Sequence, residues 1–424
     1  MTFRRPGWRR VFPHGLRTGL VREVRLKLSQ RVLSTKPSAT KEVTRLARML
    51  ADQGRDIIAL SQGEPEFDTP AHIRDAAKRA LDEGQTRYTD VAGTVALREA
   101  ICRKLLRDHA MVVPPDCVQV GTGAKQVLYN ALQATLDPGD EVVIPAPCWV
   151  SYPEMVALAG GTPIVVPCAP DAGFKLSPGA LERALTPQTR WVMLNSPSNP
   201  TGAVYSAAEL AALVVVLERH PHAMLMADDV YEKLRYGSDS FATPAAVAPG
   251  FANRVLTVNG VSKAYAMTGW RIGWGSGPAP LIKAMNSIQS QSTSHACSIA
   301  QAASIAALDG PMDFLPGFLN AYRSRRDLLV DGLRCVPGVS CDVPEGAFYA
   351  FPSVAGLLGR RTPGGVVLAD DLAVAAWLLE AAGLAVVPGT AFLLPGHLRF
   401  SYAASDAVIA EAIRRFAAAA ASLH

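Results

Sequence analysis

Lys263 lies in a segment, residues 262–273, that combines a lysine, an arginine and glycines with apolar neighbours on both sides. Lysine is seldom buried unless its amine is paired or used covalently. Partial burial and a nearby cation such as Arg271 lower the pKa of an amine toward the range that imine chemistry requires. Arg271 is itself suited to a phosphate dianion. Without other motifs, a surface lysine and a structural ion pair would be the better interpretation.

Two carboxylates, Asp228 and Asp229, follow the apolar residues 223–227. A carboxylate at the end of a buried strand is costly unless it is paired, and a protonated pyridine nitrogen is one possible partner. Tyr231 faces the same way as Asp228 if a helical turn follows, and its hydroxyl can then donate to another polar substituent of the same ring. The alternative is that one of the two aspartates caps a helix.

Two further strings suit a planar, anionic ligand. The sequence at residues 121–126, G-T-G-A-K-Q, follows a strand and opens a helix, where free backbone N–H groups bind anions. A tight turn into a helix accounts for it equally well. Trp149, at the end of another apolar run, can stack on a planar ring. A tryptophan of the core or of a lid is the alternative.

Asn199 and Arg399 offer polar groups in restricted settings. The string at residues 195–202, N-S-P-S-N-P-T-G, fixes a rigid turn that can hold the Asn199 amide as a donor to a phenolic oxygen. Plain turn chemistry is the alternative. Arg399 lies among apolar residues of a predicted strand and therefore needs an anionic partner. A substrate carboxylate fits that role, and an aspartate or glutamate of the same domain is the alternative.

Apolar runs alternate with amphipathic stretches from about residue 70 to residue 310. This pattern indicates an α/β fold with a mostly parallel sheet covered by helices on both faces. Ligands bind at the carboxyl ends of such strands, where the motifs fall. The connection between the last two strands is short, so one of them is predicted to be antiparallel. The predicted strands are residues 118–120, 141–144, 163–167, 191–195, 223–227, 254–258 and 269–274, and helices are predicted at 125–136 and 207–219.

The chain is predicted to form two domains after a basic leader. Residues 69–311 form the large domain, and residues 28–68 and 312–424 form a smaller α+β domain built from both chain ends. Such a domain can move as a body over a cleft. Residues 1–27 are expected to be disordered. In the C-terminal part, helices are predicted at residues 371–382 and 406–420 and strands at 347–351, 384–387 and 398–402.

The charge distribution excludes nucleic acid as a partner. The net charge is +5, but the first 25 residues hold seven arginines and one glutamate, so the remaining body is close to neutral. A neutral body provides no field for nucleic acid. The leader lacks the apolar core of a secretory signal and is poor in serine, so a disordered tail or an early start codon is favoured over a transit peptide. No apolar run reaches the roughly 18 residues that span a bilayer, which favours a soluble, cytoplasmic protein.

The seven cysteines are an odd number and include no C-x-x-C pair. This favours reduced thiols over a disulfide framework or a zinc site, and no metal site is predicted. Each cysteine is expected to be a small buried apolar residue.

Together these strings resemble the class I aminotransferases of the fold-type I pyridoxal-phosphate enzymes. The resemblance is strongest to the bacterial aspartate aminotransferase subgroup, some members of which also aminate prephenate. It covers about residue 28 to the end of the chain. The matching strings are at residues 33–43, 63–70, 88–99, 149–154, 195–202, 263–273, 387–390 and 399–402.

The resemblance implies a role for each motif. Lys263 would carry pyridoxal 5'-phosphate as a Schiff base and shuttle the proton, Asp228 would pair with the ring nitrogen, and Tyr231 would bond the phenolate oxygen. The implied cofactor-binding residues are Gly123, Ala124, Lys125, Trp149, Asn199, Asp228, Tyr231, Lys263, Arg271 and, toward the neighbouring subunit, Tyr88. The implied substrate-binding residues are Arg399 for the α-carboxylate, then Gly63, Trp149 and Asn199, with Thr40 and Lys125 for a distal carboxylate.

The implied function is ping-pong transamination between an L-amino acid, with aspartate favoured, and a 2-oxo acid, with 2-oxoglutarate favoured, in a homodimer with shared active sites. An aromatic, prephenate or kynurenine aminotransferase and a β-lyase are alternatives on the same fold. A non-catalytic regulator is a further alternative. Such regulators carry an N-terminal DNA-binding domain, and about 27 leader residues are too few for one.

The sequence departs from the family pattern at several positions. Asp229 stands where a glutamate is frequent, Gly260 where some relatives have a serine, and Ala124 where close relatives have a glycine. Cys148 replaces a tyrosine, and the string at residues 294–297 is unusual. These departures leave the cofactor chemistry intact and bear on the choice of substrate.

Overall fold

The computed structural model describes residues 26–35 and 38–424, so residues 1–25 of the predicted leader lie outside the described residues. Leu26 and Lys27 are exposed and belong to no helix or strand. The α-helices of the described ranges are α1 (Gln30–Ser34), α2 (Ala39–Asp52), α3 (Ala71–Asp82), α4 (Val95–His109), α5 (Ala124–Thr135), α6 (Ser151–Leu158), α7 (Pro178–Ala184), α8 (Ala207–Glu218), α9 (Pro244–Val247), α10 (Ala279–Ser290), α11 (Ser298–Asp309), α12 (Leu315–Arg334), α13 (Asp371–Ala382) and α14 (Asp406–Ala421).

The strands form three sheets. The strands of the described ranges are β1 (Ile58–Ala59), β2 (Val118–Gly121), β3 (Glu141–Ala146), β4 (Thr162–Pro167), β5 (Thr189–Asn195), β6 (Met224–Asp228), β7 (Val255–Gly260), β8 (Gly273–Ser276), β9 (Tyr349–Ala350), β10 (Leu384–Ala385), β11 (Val387–Pro388) and β12 (Leu398–Ser401). The largest sheet has seven strands in the order β2-β8-β7-β6-β5-β3-β4.

The seven-stranded sheet is mostly parallel, as predicted. Only β8 runs against its two neighbours, β2 and β7, which confirms the antiparallel strand expected from the short connection. The predicted strand at 269–274 is wrong in its first half. A 3₁₀ turn occupies Thr268–Trp270, and Arg271 has a left-handed φ of 57°, which a strand cannot accommodate. The strand therefore begins at Gly273.

Alternate residues of the sheet face opposite layers of helices, because successive side chains of a strand point to opposite faces. In β3, Val142 and Ile144 pack into an apolar cluster with residues of α5, α6 and α10, whereas Val143 packs with residues of α7 and α8. A third cluster joins Val118 and Val120 to α4 and α11. The sheet is thus covered on both faces, which is the expected α/β arrangement.

A separate apolar cluster lies among α12, α13, α14 and the small strands. The two short strands β1 and β10 pair in parallel, which brings an N-terminal segment against the C-terminal part of the chain. The predicted strand at 384–387 divides into β10 and β11, because these two pair with different partners. The strand expected at 347–351 contains only Tyr349–Ala350, and Ala347 has a left-handed φ of 56°.

All seven cysteines are free. Cys148, Cys168 and Cys341 are buried, but Cys297 and Cys335 are exposed, so the expectation that every cysteine is buried is wrong. In the described ranges, no cluster of three or more metal-ligating side chains is present. None of the helices there combines the length and the hydropathy that crossing a bilayer demands.

Candidate active site

Lys263 follows the end of β7 and reaches the carboxyl edge of the central sheet. Its Nζ donates a hydrogen bond to the Gly63 carbonyl at 2.6 Å. Burial lowers the pKa of Lys263 to about 8; the charges of Arg399 and Arg271 act in the same direction, and that of Glu64 opposes them. An amine with this pKa is partly neutral near physiological pH, which a nucleophile and proton carrier needs.

Asp228 is the last residue of β6, and 6% of its surface is exposed. The Tyr152 hydroxyl donates to its Oδ2 at 2.6 Å, and the Val230 N–H donates to its Oδ1 at 3.4 Å. Burial nevertheless raises the pKa of Asp228 to about 6. In the described chain no helix begins between Asp228 and Pro244, so the helix-cap alternative does not apply to Asp228 or to its neighbour Asp229. A buried carboxylate of this kind suits a cationic ligand.

Tyr231 lies one turn beyond Asp228 and is buried. The Glu232 N–H donates to the Asp229 carbonyl at 2.9 Å, which closes a single turn across Tyr231. The Tyr231 hydroxyl lies 2.7 Å from the hydroxyl of Tyr349, a residue to which the sequence patterns gave no role. The Lys263 amine lies 5.7 Å from the centre of the Tyr231 ring. Lysine, aspartate and tyrosine therefore meet in one place.

Arg399 lies in β12 and is 2% exposed. Its Nη1 donates to Asn199 Oδ1 at 2.9 Å and its Nη2 donates to the Ser61 carbonyl at 2.6 Å. No aspartate or glutamate in the described residues forms an ion pair with it, contrary to the alternative of a partner in the same domain, and its buried Nε has no hydrogen-bond partner there. Since Asn199 Oδ1 accepts from Arg399, the amide nitrogen of Asn199 is its donor for a ligand.

A glycine-lined turn lies beside the Arg271 guanidinium. Gly123 precedes the first residue of α5, has a φ of 82°, and would place a Cβ 2.9 Å from the Arg271 guanidinium carbon. A Cβ on Gly273 would overlap the backbone nitrogen of Ala124. In the described residues no carboxylate pairs with Arg271, which donates at 2.9 Å to the Thr268 carbonyl. This combination of a helix N-terminus, close backbone and an unpaired guanidinium suits a phosphate group.

Lys125 and Trp149 are in contact at the same edge. The Lys125 amine lies 4.5 Å from the centre of the Trp149 ring and donates to Ser151 Oγ at 3.1 Å. The Trp149 ring meets the Tyr152 ring edge to face at 5.4 Å. Tyr152 thus contacts both the residue expected to stack on the cofactor and the carboxylate of Asp228.

Thr40 is half-buried in the first turn of α2, next to Lys41. Burial lowers the pKa of Lys125, and the charge of Lys41 acts in the same direction. The hydroxyl of Thr44, one turn after Thr40, lies 3.3 Å from Ser61 Oγ. The start of α2 is therefore close both to Lys125 and to the segment that binds Arg399.

Tyr88 lies apart from these residues. Its side chain is 92% exposed, and its ring meets the His295 ring edge to face at 5.6 Å. A cavity of about 860 Å³ lies beside it, between α3 and α11. Nothing in the described chain joins Tyr88 to the phosphate-binding turn.

Comparison with known proteins decides the family. The model of the family described as aminotransferase class I and II matches residues 55–416. The chain belongs to this family. It is therefore an aminotransferase, and its cofactor is pyridoxal 5'-phosphate, as the resemblance implied.

Named relatives agree with this assignment. The aminotransferase is 55% identical to the aspartate/prephenate aminotransferase of Cereibacter sphaeroides over 93% of this chain and 99% of the relative. It is 50% identical to an aspartate aminotransferase of Rhizobium meliloti, over 94% of this chain and 97% of that protein. Among solved structures, the aspartate aminotransferase of Rhizobium meliloti matches with a TM-score of 0.92, at 49% identity over 94% of this chain and all of that one. The Thermus thermophilus enzyme with maleate matches with a TM-score of 0.87, at 45% identity over 93% and 100% of the two chains.

The residues of this aminotransferase fit the cofactor. The buried Asp228 carboxylate forms no ion pair within the described residues and suits a protonated ring nitrogen. Because Gly123 carries no Cβ, the Arg271 guanidinium can lie directly against the turn that opens α5, which suits a phosphate. Lys263 supplies an amine whose pKa is already lowered. The aldehyde, the cationic ring and the phosphate of the cofactor are thus matched by Lys263, Asp228 and the turn at Gly123, respectively.

Sequence patterns gave no role to three residues of the site. Tyr152 stood in the Trp149 string, and its spacing of three from Trp149 places both on one face of a helical turn. Tyr349 gave no signal, because a tyrosine in an apolar strand is ordinary core. Ser61 contributes its backbone carbonyl, which side-chain patterns do not reveal.

Proposed function

We propose that this aminotransferase transfers the amino group of L-aspartate to a 2-oxo acid, preferably 2-oxoglutarate, in a ping-pong reaction. The supporting observation is a pair of separate cationic groups: Arg399 in the core without a carboxylate partner in the described chain, and Lys125 with the nearby Lys41. Two cations suit the two carboxylates of a dicarboxylic substrate. Aspartate aminotransferase relatives, and a neighbour solved with maleate, support the same choice.

The substrate roles follow from position. Arg399 binds the α-carboxylate, and Asn199, held by its Oδ1, directs its amide nitrogen to the ligand. The Gly63 carbonyl accepts a hydrogen bond from the Lys263 amine and therefore lies next to the reacting group. Lys125 and Thr40 bind the distal carboxylate. Lys125 keeps its amine over the Trp149 ring, where it can attract a carboxylate.

When bound, the cofactor withdraws electrons from the α-carbon of the attached amino acid and so makes the α-proton acidic. Lys263 would take this proton as a base and return it to the C4′ carbon of the cofactor, because its amine is partly neutral. Asp228 would pair its negative charge with the ring nitrogen, and Tyr231 would donate to the ring oxygen. Trp149 would stack on the ring, while Gly123, Ala124 and Arg271 would hold the phosphate.

A donor and acceptor matrix tests the proposal. Aspartate, glutamate, alanine and phenylalanine are tested as donors against 2-oxoglutarate and prephenate as acceptors. Aspartate with 2-oxoglutarate is expected to give the highest kcat/KM, with parallel double-reciprocal lines as ping-pong kinetics require. Phenylalanine turning over faster than aspartate would refute the dicarboxylic preference. Release of pyruvate and ammonia without keto-acid amination would identify a β-lyase instead.

Prephenate is a second candidate acceptor. A relative at 55% identity is named for both aspartate and prephenate. Prephenate carries two carboxylates, which the pair of Arg399 and Lys125 can bind as it binds those of aspartate. An assay with prephenate as acceptor and glutamate or aspartate as donor tests this activity. Chromatography detects the amino acid that forms from prephenate.

We further propose a homodimer in which Tyr88 of one subunit reaches the phosphate site of the other. The exposed Tyr88 and the adjacent cavity of about 860 Å³ support a partner surface on this face. Mixing inactive Lys263→Ala protein with a Tyr88→Ala variant tests it. In the mixed dimer, one active site regains both an intact lysine and an intact tyrosine, so activity is expected to exceed that of either parent. No gain, with mixing verified by mass spectrometry, would refute shared sites.

The two apolar cores support a division into a large domain at 69–311 and a small domain at 28–68 with 312–424. Small-domain closure would seat Arg399 and exclude water. The free cysteines suit a reducing compartment, so the proposed location is the cytoplasm. Limited proteolysis with and without maleate tests the closure: protection of the segments between the domains is expected with maleate.

A further inference from the structure

Tyr349 contacts three parts of the active site at once. It lies in β9, and 1% of its surface is exposed. Its hydroxyl lies 2.7 Å from the Tyr231 hydroxyl. The centre of its ring lies 4.5 Å from the Arg399 guanidinium. A Cβ added to Gly63 would overlap the Tyr349 hydroxyl, so the Gly63 backbone packs directly against the Tyr349 side chain.

We propose that Tyr349 is a positioning residue, whose hydroxyl orients that of Tyr231 toward the cofactor and whose ring orients Arg399 toward the substrate carboxylate. The inference rests on the proposed function for Arg399 and on the family's cofactor for Tyr231. Tyr349 carries no charge and reaches neither the reacting lysine nor the carboxylate of Asp228 by a hydrogen bond in the described structure.

The hydroxyl acts through hydrogen-bond direction. A phenol has one O–H donor, so when Tyr231 donates to a ligand it can only accept from its buried neighbour. Tyr349 is then the donor of the 2.7 Å bond, and this fixes the Tyr231 proton on the ligand side. The titratable groups that surround the pair are Arg399, Asp228 and the Lys263 amine.

The ring acts through contact with the guanidinium. Arg399 lies between the Tyr349 ring, at 4.5 Å, and the Phe392 ring, at 5.0 Å. Aromatic faces attract a cation without neutralising it. The guanidinium thus contacts two rings and bonds to Asn199 and Ser61, while it remains free of any carboxylate in the described chain. A cation held in this way is preorganised for a substrate carboxylate.

Two substitutions separate the hydroxyl from the ring. Tyr349→Phe removes the hydroxyl and keeps the ring, and Tyr349→Leu removes both. Tyr322→Phe is the matched control, because Tyr322 is fully buried in the same apolar cluster and its hydroxyl has no hydrogen-bond partner in the described residues. A general effect of removing a buried hydroxyl would appear in this control as well.

The first measurement is the pH at which the visible absorbance of the cofactor-loaded protein changes. A hydrogen-bond donor held on the ring oxygen stabilises negative charge there and favours loss of the proton from the nitrogen that joins Lys263 to the cofactor. Tyr349→Phe weakens this donor, so the pH midpoint of the absorbance change is expected to rise by roughly 0.5 unit. Tyr322→Phe is expected to leave it unchanged. An unchanged midpoint in Tyr349→Phe, or an equal rise in Tyr322→Phe, would overturn the role of the hydroxyl.

The second measurement is the binding of maleate, a non-reactive dicarboxylate, to the same loaded proteins. Tyr349→Phe is expected to bind maleate within about twofold of the parent, and Tyr349→Leu about tenfold more weakly. Equal affinity in all three proteins would overturn the role of the ring. If the parent protein did not turn over aspartate, only the proposed aspartate transamination would be refuted. The role of the Tyr349 hydroxyl would still be tested, since the absorbance midpoints do not depend on the substrate.

Discussion

The Tyr152 hydroxyl donates a 2.6 Å hydrogen bond to Asp228 Oδ2, and both groups are removed from water. This bond favours the ionised carboxylate, whereas burial favours the neutral acid and raises the pKa of Asp228 to about 6. The carboxylate is therefore close to the point at which it would lose its charge. A cationic ring nitrogen is the partner that would return it fully to the ionised form.

Tyr152→Phe is expected to weaken cofactor binding about tenfold at neutral pH, since it removes a hydrogen bond to a charged group. The pKa of Asp228 rises further in this variant. As the pH is lowered, the variant therefore begins to lose affinity for the cofactor at a higher pH than the parent does. Titration of cofactor-free protein with pyridoxal phosphate between pH 5 and pH 8, followed by fluorescence, measures both effects. Tyr265→Phe is the control, because the buried Tyr265 hydroxyl has no hydrogen-bond partner in the described residues. Equal titrations for both variants would contradict the assignment.

Asp228→Asn is expected to stabilise the cofactor-free protein. The pKa of Asp228 is raised from 3.8 when unfolded to about 6 when folded, so ionisation in the folded state destabilises it. The penalty is absent below about pH 4, grows as the pH rises to about 6, and is constant above that. It amounts to about 2–3 kcal/mol.

Thermal unfolding of the cofactor-free proteins across pH 4 to 8 checks this expectation. The Tm difference between Asp228→Asn and the parent is expected to widen from pH 4 to about pH 6 and then to stay constant, because asparagine keeps an acceptor for Tyr152 but carries no charge. The exposed Asp171→Asn serves as control and is expected to show no such trend. A difference independent of pH would mean that the Asp228 carboxylate is not the cause.

The framework of the site follows from short-range patterns. The strand ends at Gly121, Asn195 and Asp228 could be located because apolar runs and turn residues are local signals. The parallel order and the single antiparallel strand followed from connection lengths. Lys263 and Arg399 were identifiable because a cation within an apolar run is rare unless it is paired or takes part in the chemistry.

The remaining contacts depend on packing that no local pattern encodes. Tyr349 meets Tyr231 although 118 residues separate them in the chain. Arg271 was placed in a strand because its neighbours are apolar, yet it turns back with a left-handed φ of 57° to face Gly123. Such a conformation is rare for arginine and is maintained by its surroundings, which the sequence does not display.

Lys125→Ala is expected to lower kcat/KM for aspartate about tenfold or more and to change that for phenylalanine by less than about twofold. The Lys125 amine lies over the Trp149 ring, and its loss removes attraction for a distal carboxylate that phenylalanine lacks. Steady-state kinetics with both donors measure the ratio. Lys283→Ala, at an exposed position of α10, is the control and is expected to alter neither value. Equal losses for the two donors would count against a distal-carboxylate role.

Lys263→Ala is expected to abolish transamination and the visible absorbance of the covalently bound cofactor. Within the described residues, Lys263 is the lysine whose amine contacts the Gly63 carbonyl and the rings of Tyr231 and Phe348, so no second amine is in place to substitute for it. The variant is still expected to bind pyridoxal phosphate without a covalent bond, since Asp228 and the turn at Gly123 remain. Borohydride reduction followed by peptide mass mapping identifies the modified residue in the parent and in a Lys283→Ala control. Lys263 is expected to carry the cofactor in both proteins. An unmodified Lys263 in cofactor-saturated protein, or normal turnover by Lys263→Ala, would refute the assignment, because every other role in the site depends on an amine at this position.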